Sequence, residues 1–455
     1  MSTTPSRGMW SSRAGFILAA AGSAVGLGNI WGFPTQVGQG GGAAFVVIYL
    51  ACIFLICVPI MAGEIAIGRR TRQSPVGSFA ALAPGSRWWL VGGLGVLAGV
   101  GILSFYSVIA GWAVAYVWFA ATGAVTGGAE DSGRFFAEFT ANGVVSAGLA
   151  IFVIATTAAV LLGGVRAGIE RVTKALMPLL VLLLIALALR AVTLPGAGAG
   201  LAYYLSPDLT RLADIGIYPA ALGQAFFSLS LGMGCILTYG SYFSRRDGIA
   251  AAALWIVILD TSIALLAGFI IFPVGFSIAG FDPATGGPGL IFAVLPRLFA
   301  ELPGGQLFGG AFFLLLSVAA LTSTISLLEV PVSHCVDALG WSRTKAVAAV
   351  TGLVSALAIP SALGNGAVDV FTSVPGLGMG FLDLMVNAWN EFALPIGGCL
   401  TAIFIGWVWR VDRALGELGA EGAWFPAPAL WTFLIRWVCP AAIASILIAT
   451  LASML

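Results

Sequence analysis

The run from Gly22 to Pro34 places polar and helix-breaking residues inside the first long apolar segment of the chain. It reads Gly-Ser-Ala-Val-Gly-Leu-Gly-Asn-Ile-Trp-Gly-Phe-Pro, with Asn29 among the glycines. A glycine in a helix interior costs about 1 kcal/mol relative to alanine. Backbone N–H and C=O groups freed inside a membrane are tolerated where they line a polar cavity or are bound again. The run therefore predicts a broken helix that forms a binding site.

A second run of the same kind lies near the middle of the chain. Ser228, Ser230, Gly232 and Gly234 interrupt the apolar segment 215–243. The two interruptions occupy corresponding positions if the chain consists of two five-helix halves, because each then falls in the first helix of its half. Paired interruptions of this kind indicate a transporter built from inverted repeats, with its site near the bilayer midplane.

The glycines of both runs have a simpler interpretation, in which they only allow neighbouring helices to pack closely. However, Asn29, Ser228 and Ser230 add side-chain oxygens beside the interruptions. Helix packing does not require these oxygens, so we favour a binding site.

The elements that position these residues follow from composition. Of the 455 residues, 60% are hydrophobic and 9% are charged, which excludes a soluble globular protein. Apolar runs that reach the roughly 20 residues needed to cross a bilayer recur about eleven times and predict an all-α polytopic membrane protein. We expect no cleavable signal peptide, because the first run is long. The runs are 14–36, 44–68, 89–122, 144–163, 168–190, 215–243, 250–277, 306–339, 344–361, 378–409 and 430–454.

The lysines and arginines predict the orientation in the cell (inner) membrane. With a cytoplasmic N-terminus, most of them fall on the cytoplasmic side, where positive loops are retained. An odd number of spans then leaves the C-terminus outside. Four arginines remain on the outer side: Arg134, Arg190, Arg211 and Arg297.

Several other classes of protein are disfavoured. A net charge of +1 without a basic stripe argues against nucleic acid as a partner. One histidine, His334, and six cysteines without metal-ligand spacing provide no catalytic constellation for a membrane enzyme. A channel would favour a repeated filter. The glycine-rich run 26–32 follows no soluble strand, which argues against a dinucleotide-binding loop.

Several motifs, taken together, resemble the neurotransmitter:sodium symporter family, and in particular its bacterial branch of amino-acid transporters. They cover nearly the whole chain. The resemblance implies one transmembrane domain over 1–455, with a first inverted repeat at 10–190, a second at 215–409 and an eleventh helix at 430–455. The motifs are Trp10-Ser-Ser-Arg-Ala-Gly-Phe, the run 22–34, Phe33-Pro-Thr-Gln-Val-Gly-Gln-Gly-Gly-Gly, Gly63-Glu-Ile-Ala-Ile-Gly-Arg, Ser230-Leu-Gly-Met-Gly, Ala319-Ala-Leu-Thr-Ser-Thr-Ile-Ser-Leu-Leu-Glu and Phe381-Leu-Asp.

The resemblance also implies two sites for Na⁺, a hard cation that prefers oxygen ligands. The first maps to the Ala24 carbonyl, Asn29, Ser228 and Asp260, together with the carboxylate of the bound amino acid. The second maps to the carbonyls of Gly22, Val25 and Ala319 and the hydroxyls of Thr322 and Ser323.

The implied substrate is a neutral, hydrophobic or aromatic L-amino acid. Its carboxylate would face the backbone N–H groups of Leu27 and Gly28 at the start of a half-helix, with Tyr106 adding a hydroxyl. The pocket is uncharged, and a buried unpaired charge would be costly. The residues implied for the substrate site are Ser23, Ala24, Leu27, Gly28, Ile102, Tyr106, Phe227, Ser228, Ser230, Met233, Ser323 and Leu327.

Asp260 predicts that transport is independent of chloride. Chloride-dependent members of the family carry a neutral Asn at this position. Ala264, on the same helical face four residues later, stands where they carry a chloride-binding Ser. We expect the fixed carboxylate of Asp260 to replace the bound anion, so the expected cofactor is Na⁺ without chloride.

The gates show one departure from the family pattern. Gly32 and Val386 stand where the family carries an Arg and its acidic partner, so we expect outer closure to depend on Tyr106 and Phe227. The implied inner gate consists of Arg7, Tyr242 and Asp337. Among the other acids, we expect Glu64 to secure helix packing near the first break through hydrogen bonds. We interpret Glu329 and Asp383 as structural and leave Glu391 open. Nothing in the sequence indicates an oligomeric state.

Overall fold

Helices account for the regular structure in a computed structural model that describes residues 8–125, 129–278, 281–284, 289–300 and 302–454. Within these residues there is no β-strand. Among the described residues, nine helices are long and apolar enough to cross a membrane, and one further pair forms a bent span. This confirms the all-α membrane fold. The total of eleven spans and the division into two repeats remain predictions.

The first predicted span is two helices with a bend of 53° between them. Helix α1 (Arg13–Ala24) begins where the Ser12 hydroxyl accepts a hydrogen bond from the Gly15 N–H, and it ends at Val25, whose backbone is extended. Helix α2 (Gly28–Gln39) opens with one wide π-helical turn and continues through Pro34.

The interruption is therefore shorter than the sequence suggests. Only Val25, Gly26 and Leu27 separate the helices, whereas Gly22 lies inside α1 and Pro34 lies inside α2. A wide turn before a proline relieves the clash of its ring with the preceding carbonyls. This explains how the helix continues past Pro34.

The remaining helices follow the predicted spans with short connections. Two 3₁₀ helices lie at Leu209–Ala213 and Ala420–Gly422. The helices are α3 (Ala43–Thr71), α4 (Pro75–Leu82), α5 (Trp89–Thr122), α6 (Ala129–Ala141), α7 (Gly143–Leu162), α8 (Gly164–Val192), α9 (Ala197–Leu205), α10 (Ile217–Ser228), α11 (Cys235–Gly240), α12 (Ile249–Phe276), α13 (Leu290–Ala300), α14 (Gly305–Leu339), α15 (Arg343–Leu363), α16 (Asp369–Thr372), α17 (Phe381–Val408), α18 (Val411–Leu418) and α19 (Pro428–Leu451).

The second predicted interruption separates α10 from α11. The six residues of the link, 229–234, include Ser230 with φ of 53° and Gly232 and Gly234 with φ of 78° and 77°. Glycine adopts this left-handed region without a steric penalty, whereas serine does so only when its surroundings stabilise it. The sixth predicted span is therefore two short helices joined by an unwound link.

Helices α5 and α14 lie side by side at the centre of the molecule. They approach closely at Gly99, where a Cβ atom would lie 3.0 Å from the Leu327 carbonyl oxygen. Their buried faces carry Tyr106 and Ser323 next to the break between α1 and α2. These two continuous helices thus lie against the broken ones at the site.

Candidate substrate and ion site

One cluster of oxygen atoms lies where the C-terminal end of α10 meets α2 and α12. The amide of Asn29 donates to Asp260 Oδ1 at 2.7 Å and to Ser228 Oγ at 3.0 Å. Ser228 Oγ in turn donates to Asp260 Oδ2 at 2.8 Å. All three side chains are fully buried. Three of the residues predicted for the first ion site therefore meet, while Ala24, the fourth, ends α1 nearby.

Among the side chains that the structure describes, none balances the negative charge of Asp260 in this cluster. Within the described residues, Asp260 takes part in no ion pair, and its partners are a neutral amide and a hydroxyl. A buried carboxylate is costly unless a cation or several hydrogen bonds compensate it. A monovalent cation bound here would compensate the buried carboxylate.

A second cluster joins the end of α1 to α14. Ser323 Oγ donates to the Val25 carbonyl oxygen at 3.1 Å, and Thr322 Oγ1 donates to the Ala319 carbonyl oxygen at 2.8 Å. Gly22 lies against Thr322, where a Cβ atom would approach Thr322 Cβ at 3.5 Å. All five residues predicted for the second ion site are thus brought to one place.

A small cavity lies between the two clusters. Its volume is about 20 Å³. Ten of the twelve residues predicted for substrate binding line it, and Gly26, which we did not predict, completes the wall. The lining residues are Ser23, Ala24, Gly26, Gly28, Ile102, Tyr106, Phe227, Ser230, Met233, Ser323 and Leu327.

The two remaining predicted substrate residues lie elsewhere. Ser228 is turned toward Asp260 on the far side of α10. Leu27 donates its backbone N–H to the Tyr106 hydroxyl at 2.9 Å, and the residue lines a second, larger cavity. The sequence motif does not show which side of a broken helix each residue faces, because the chain turns sharply at both breaks.

The larger cavity, which we call the vestibule, measures about 500 Å³. Tyr106 and Phe227 line both the vestibule and the small cavity, so their rings separate the two spaces. Gly32 and Val386, the positions without the expected charges, line the vestibule, as does Glu391. The arrangement is consistent with an aromatic lid.

The other predicted gate and acidic residues have specific partners. Tyr242 donates to Glu329 Oε1 at 2.8 Å, and Arg343 pairs with Glu329 at 2.6 Å, which supports a structural role for Glu329. Asp337 accepts a hydrogen bond from the Ser74 N–H at 2.7 Å. Arg7 lies outside the described residues.

Glu64 contacts the second break and not the first. We expected it to stabilise packing near the first break, but its Oε1 accepts a hydrogen bond from the Gly232 N–H at 2.9 Å in the second. The residue is buried in α3. Asp383, by contrast, is exposed.

Sequence reasoning also missed two contacts of the site. Tyr49 donates to Ser228 Oγ at 3.4 Å, and Gln224 Nε2 donates to the Gly28 carbonyl oxygen at 2.8 Å. Gln224 precedes Ser228 by four residues, on the same face of α10. A polar residue at this spacing was a signal that pointed to the site.

Oxygen clusters between broken membrane helices are typical of the class of membrane transporters. The chain belongs to the sodium:neurotransmitter symporter family, whose model matches residues 7–128 and 133–455. Membership in this family makes it a sodium-dependent transporter.

Individual relatives agree with this assignment. The chain is 38% identical over 439 residues to the uncharacterized sodium-dependent transporter YhdH of Bacillus subtilis, with 95% of each chain covered. It is 34% identical to an uncharacterized sodium-dependent transporter of Haemophilus influenzae, with 98% of each covered. The crystal structure of MhsT in complex with L-phenylalanine is similar, with a TM-score of 0.88, 45% identity and coverage of 97% of this chain and 99% of that one.

Proposed function

We propose that this protein imports a neutral, hydrophobic or aromatic L-amino acid together with Na⁺ by alternating access. The observation that carries the proposal is the uncharged cavity between two oxygen clusters, at the level where both broken helices are interrupted. The similarity to MhsT, solved in complex with L-phenylalanine, supports the same substrate class.

The cavity lining combines polar groups with apolar side chains, as an amino acid requires. The substrate carboxylate binds near Gly28 and the Tyr106 hydroxyl, and the ammonium group binds carbonyl oxygens near Ala24, Phe227 and Ser230. Ile102, Met233 and Leu327 surround the substrate side chain. Methionine is flexible and fills irregular spaces, which suits a pocket that accepts several apolar side chains.

Two Na⁺ ions bind on either side of the substrate in this proposal. The first is held by Ala24, Asn29, Ser228, Asp260 and the substrate carboxylate. The second is held by the carbonyls of Gly22, Val25 and Ala319 and the hydroxyls of Thr322 and Ser323. Oxygen ligands of this kind suit hard cations.

The proposed orientation places the vestibule outside and the N-terminus inside. Trp10 supports closure of the inner side, because its indole N–H donates to the Tyr239 carbonyl oxygen at 3.0 Å and its ring packs on Tyr242. The lid of Tyr106 and Phe227 lies on the side of the small cavity that faces the vestibule.

The proposed substrate class predicts sodium-dependent stabilisation by a few amino acids. A ligand that binds only the folded state raises its stability by mass action, by about 2.7 kcal/mol at a concentration 100 times the dissociation constant. In a thermal-shift screen of the twenty amino acids, we expect phenylalanine and leucine to raise the midpoint in Na⁺ but not in K⁺. Stabilisation by aspartate or lysine, or equal stabilisation in both salts, would contradict the proposal.

Chloride independence predicts a second result. Replacing chloride with gluconate should leave Na⁺-driven uptake in proteoliposomes unchanged, because Asp260 already provides the negative charge beside the first ion. Replacing Na⁺ with K⁺ in the same vesicles is the control and should abolish uptake. A large loss of uptake in gluconate would disprove the role of Asp260 as the fixed anion.

A further inference from the structure

Gln224 links the two broken helices above the substrate cavity. Its side chain is 7% exposed, and its Nε2 donates to the carbonyl oxygen of Gly28, the first residue of α2, at 2.8 Å. Gln224 lines the vestibule but is not among the residues that line the small cavity. Gln224 therefore lies outside the small cavity, and we assign its effect to the helices that it joins.

Gly32 provides the space in which this amide lies. A Cβ atom at Gly32 would approach Gln224 Oε1 at 3.0 Å, closer than most real contacts. The backbone of Gly32 is ordinary helix, with φ of −59°, so no unusual conformation requires glycine here. The absence of a side chain instead leaves room for the Gln224 amide against α2.

Phe227 makes a second contact between the same two segments. It follows Gln224 by three residues, so both lie on one face of α10. A Cβ atom at Gly28 would lie 2.8 Å from Phe227 Cδ1, which shows that the ring packs directly on the Gly28 backbone. The side chain of Gln224 thus holds the carbonyl of the residue on which the lid ring rests.

We propose that the hydrogen bond from Gln224 to Gly28 is the outer clasp that keeps the lid of Phe227 and Tyr106 closed over the substrate. It takes the place of the ion pair that Gly32 and Val386 cannot form. Gln224 is a positioning residue, and the inference rests on the proposed amino-acid substrate.

The clasp differs from an ion pair in two measurable ways. First, losing a neutral hydrogen bond costs less stability than removing one partner of a buried ion pair. Second, a neutral hydrogen bond carries no net charge, so its strength does not depend on ionic strength as that of an exposed ion pair does. Release of substrate should therefore be insensitive to an inert salt added at constant Na⁺.

The test measures dissociation of radiolabelled L-phenylalanine from purified protein in Na⁺ after dilution. Gln224→Met keeps the length of the side chain but removes the donor, and we expect dissociation about fivefold faster, the change that corresponds to about 1 kcal/mol. Gln224→Glu, which has the same shape and no N–H, should accelerate dissociation in the same direction at neutral pH. Stabilisation by Na⁺ alone should match that of the wild type.

Gln36→Met is the matched control. Gln36 lines the same vestibule, and its side chain makes no hydrogen bond within the described part of the chain. Its dissociation rate should equal that of the wild type. If a folded Gln224 variant releases phenylalanine at the same rate as the wild type, the clasp is overturned. It is also overturned if the variant loses thermal stability, stabilisation by Na⁺ and bound phenylalanine all together. If the wild type itself retains no phenylalanine in Na⁺, the proposed function fails, and the clasp fails with it.

Discussion

Asp260→Asn should reduce Na⁺-driven uptake at least about tenfold, whether chloride is present or not. Among the described residues, Asp260 carries the only charge of the first oxygen cluster. The substitution removes this charge but keeps the size of the side chain, and Asn29 and Ser228 remain in place. A tenfold loss of apparent Na⁺ affinity corresponds to about 1.4 kcal/mol. Uptake of labelled phenylalanine as a function of Na⁺ concentration measures this effect.

A second substitution turns this expectation into a gain of function. Ala264 is buried on α12, one turn beyond Asp260. Adding Ala264→Ser to Asp260→Asn should restore part of the uptake in chloride but not in gluconate. Asp383→Asn is the control, because Asp383 is an exposed acid of α17 and its replacement should leave the Na⁺ dependence unchanged. If uptake by Asp260→Asn depends on Na⁺ as uptake by the wild type does, Asp260 does not provide the fixed charge of the first ion site.

Arg69→Met should lower the free energy of unfolding by about 3–5 kcal/mol, because it leaves a buried carboxylate without its cation. The Arg69 side chain is fully buried, and its Nε binds Glu417 Oε1 at 2.7 Å. A further guanidinium N–H donates to the Asp247 carbonyl oxygen at 2.8 Å. The loss should appear as a lower midpoint of thermal unfolding, followed by tryptophan fluorescence in detergent.

Arg70 provides the matched control for this prediction. It is the next residue of α3, but its side chain is 53% exposed and lies 4.0 Å from Glu417. Exposed pairs contribute about 0–1 kcal/mol, so Arg70→Met should change the midpoint little. Glu417→Gln combined with Arg69→Met should recover part of the lost stability. Equal shifts for Arg69→Met and Arg70→Met would rule out the buried pair as the cause.

The sequence was sufficient to predict the membrane class and the positions of both interruptions. Long apolar runs indicate helices that cross the membrane. A cluster of glycines lowers the stability of a helix, so it indicates a place where the helix is interrupted. The resemblance to the family supplied the residues proposed for the ion sites, and the polar Asn29 and Ser228 within apolar runs were in keeping with that assignment. The exact limits of the first break were not, because packing decides how far a helix continues past glycine.

Contacts between distant parts of the chain were beyond the reach of sequence patterns. Arg69 and Glu417 are 348 positions apart, and Glu64 and Gly232 are 168 positions apart. No periodicity relates such residues, because their approach depends on how whole helices pack. Gln224 was predictable only in part. Its spacing from Ser228 is visible in the sequence, but its partner is a backbone carbonyl, which has no sequence signature.

The unwound link 229–234 connects more of the molecule than a continuous helix would at this position. Ser230 Oγ donates to the Ser23 carbonyl oxygen of α1 at 3.0 Å, and the Gly232 N–H binds Glu64 of α3. Gly232 also packs against α17, where a Cβ atom would approach the Leu394 carbonyl oxygen at 2.3 Å. Polar groups released from one helix thus form a joint among several. A tilt of α10 against α11 must therefore be accompanied by movement or bond exchange at α1, α3 and α17, which makes this link a point of mechanical coupling and not a free hinge.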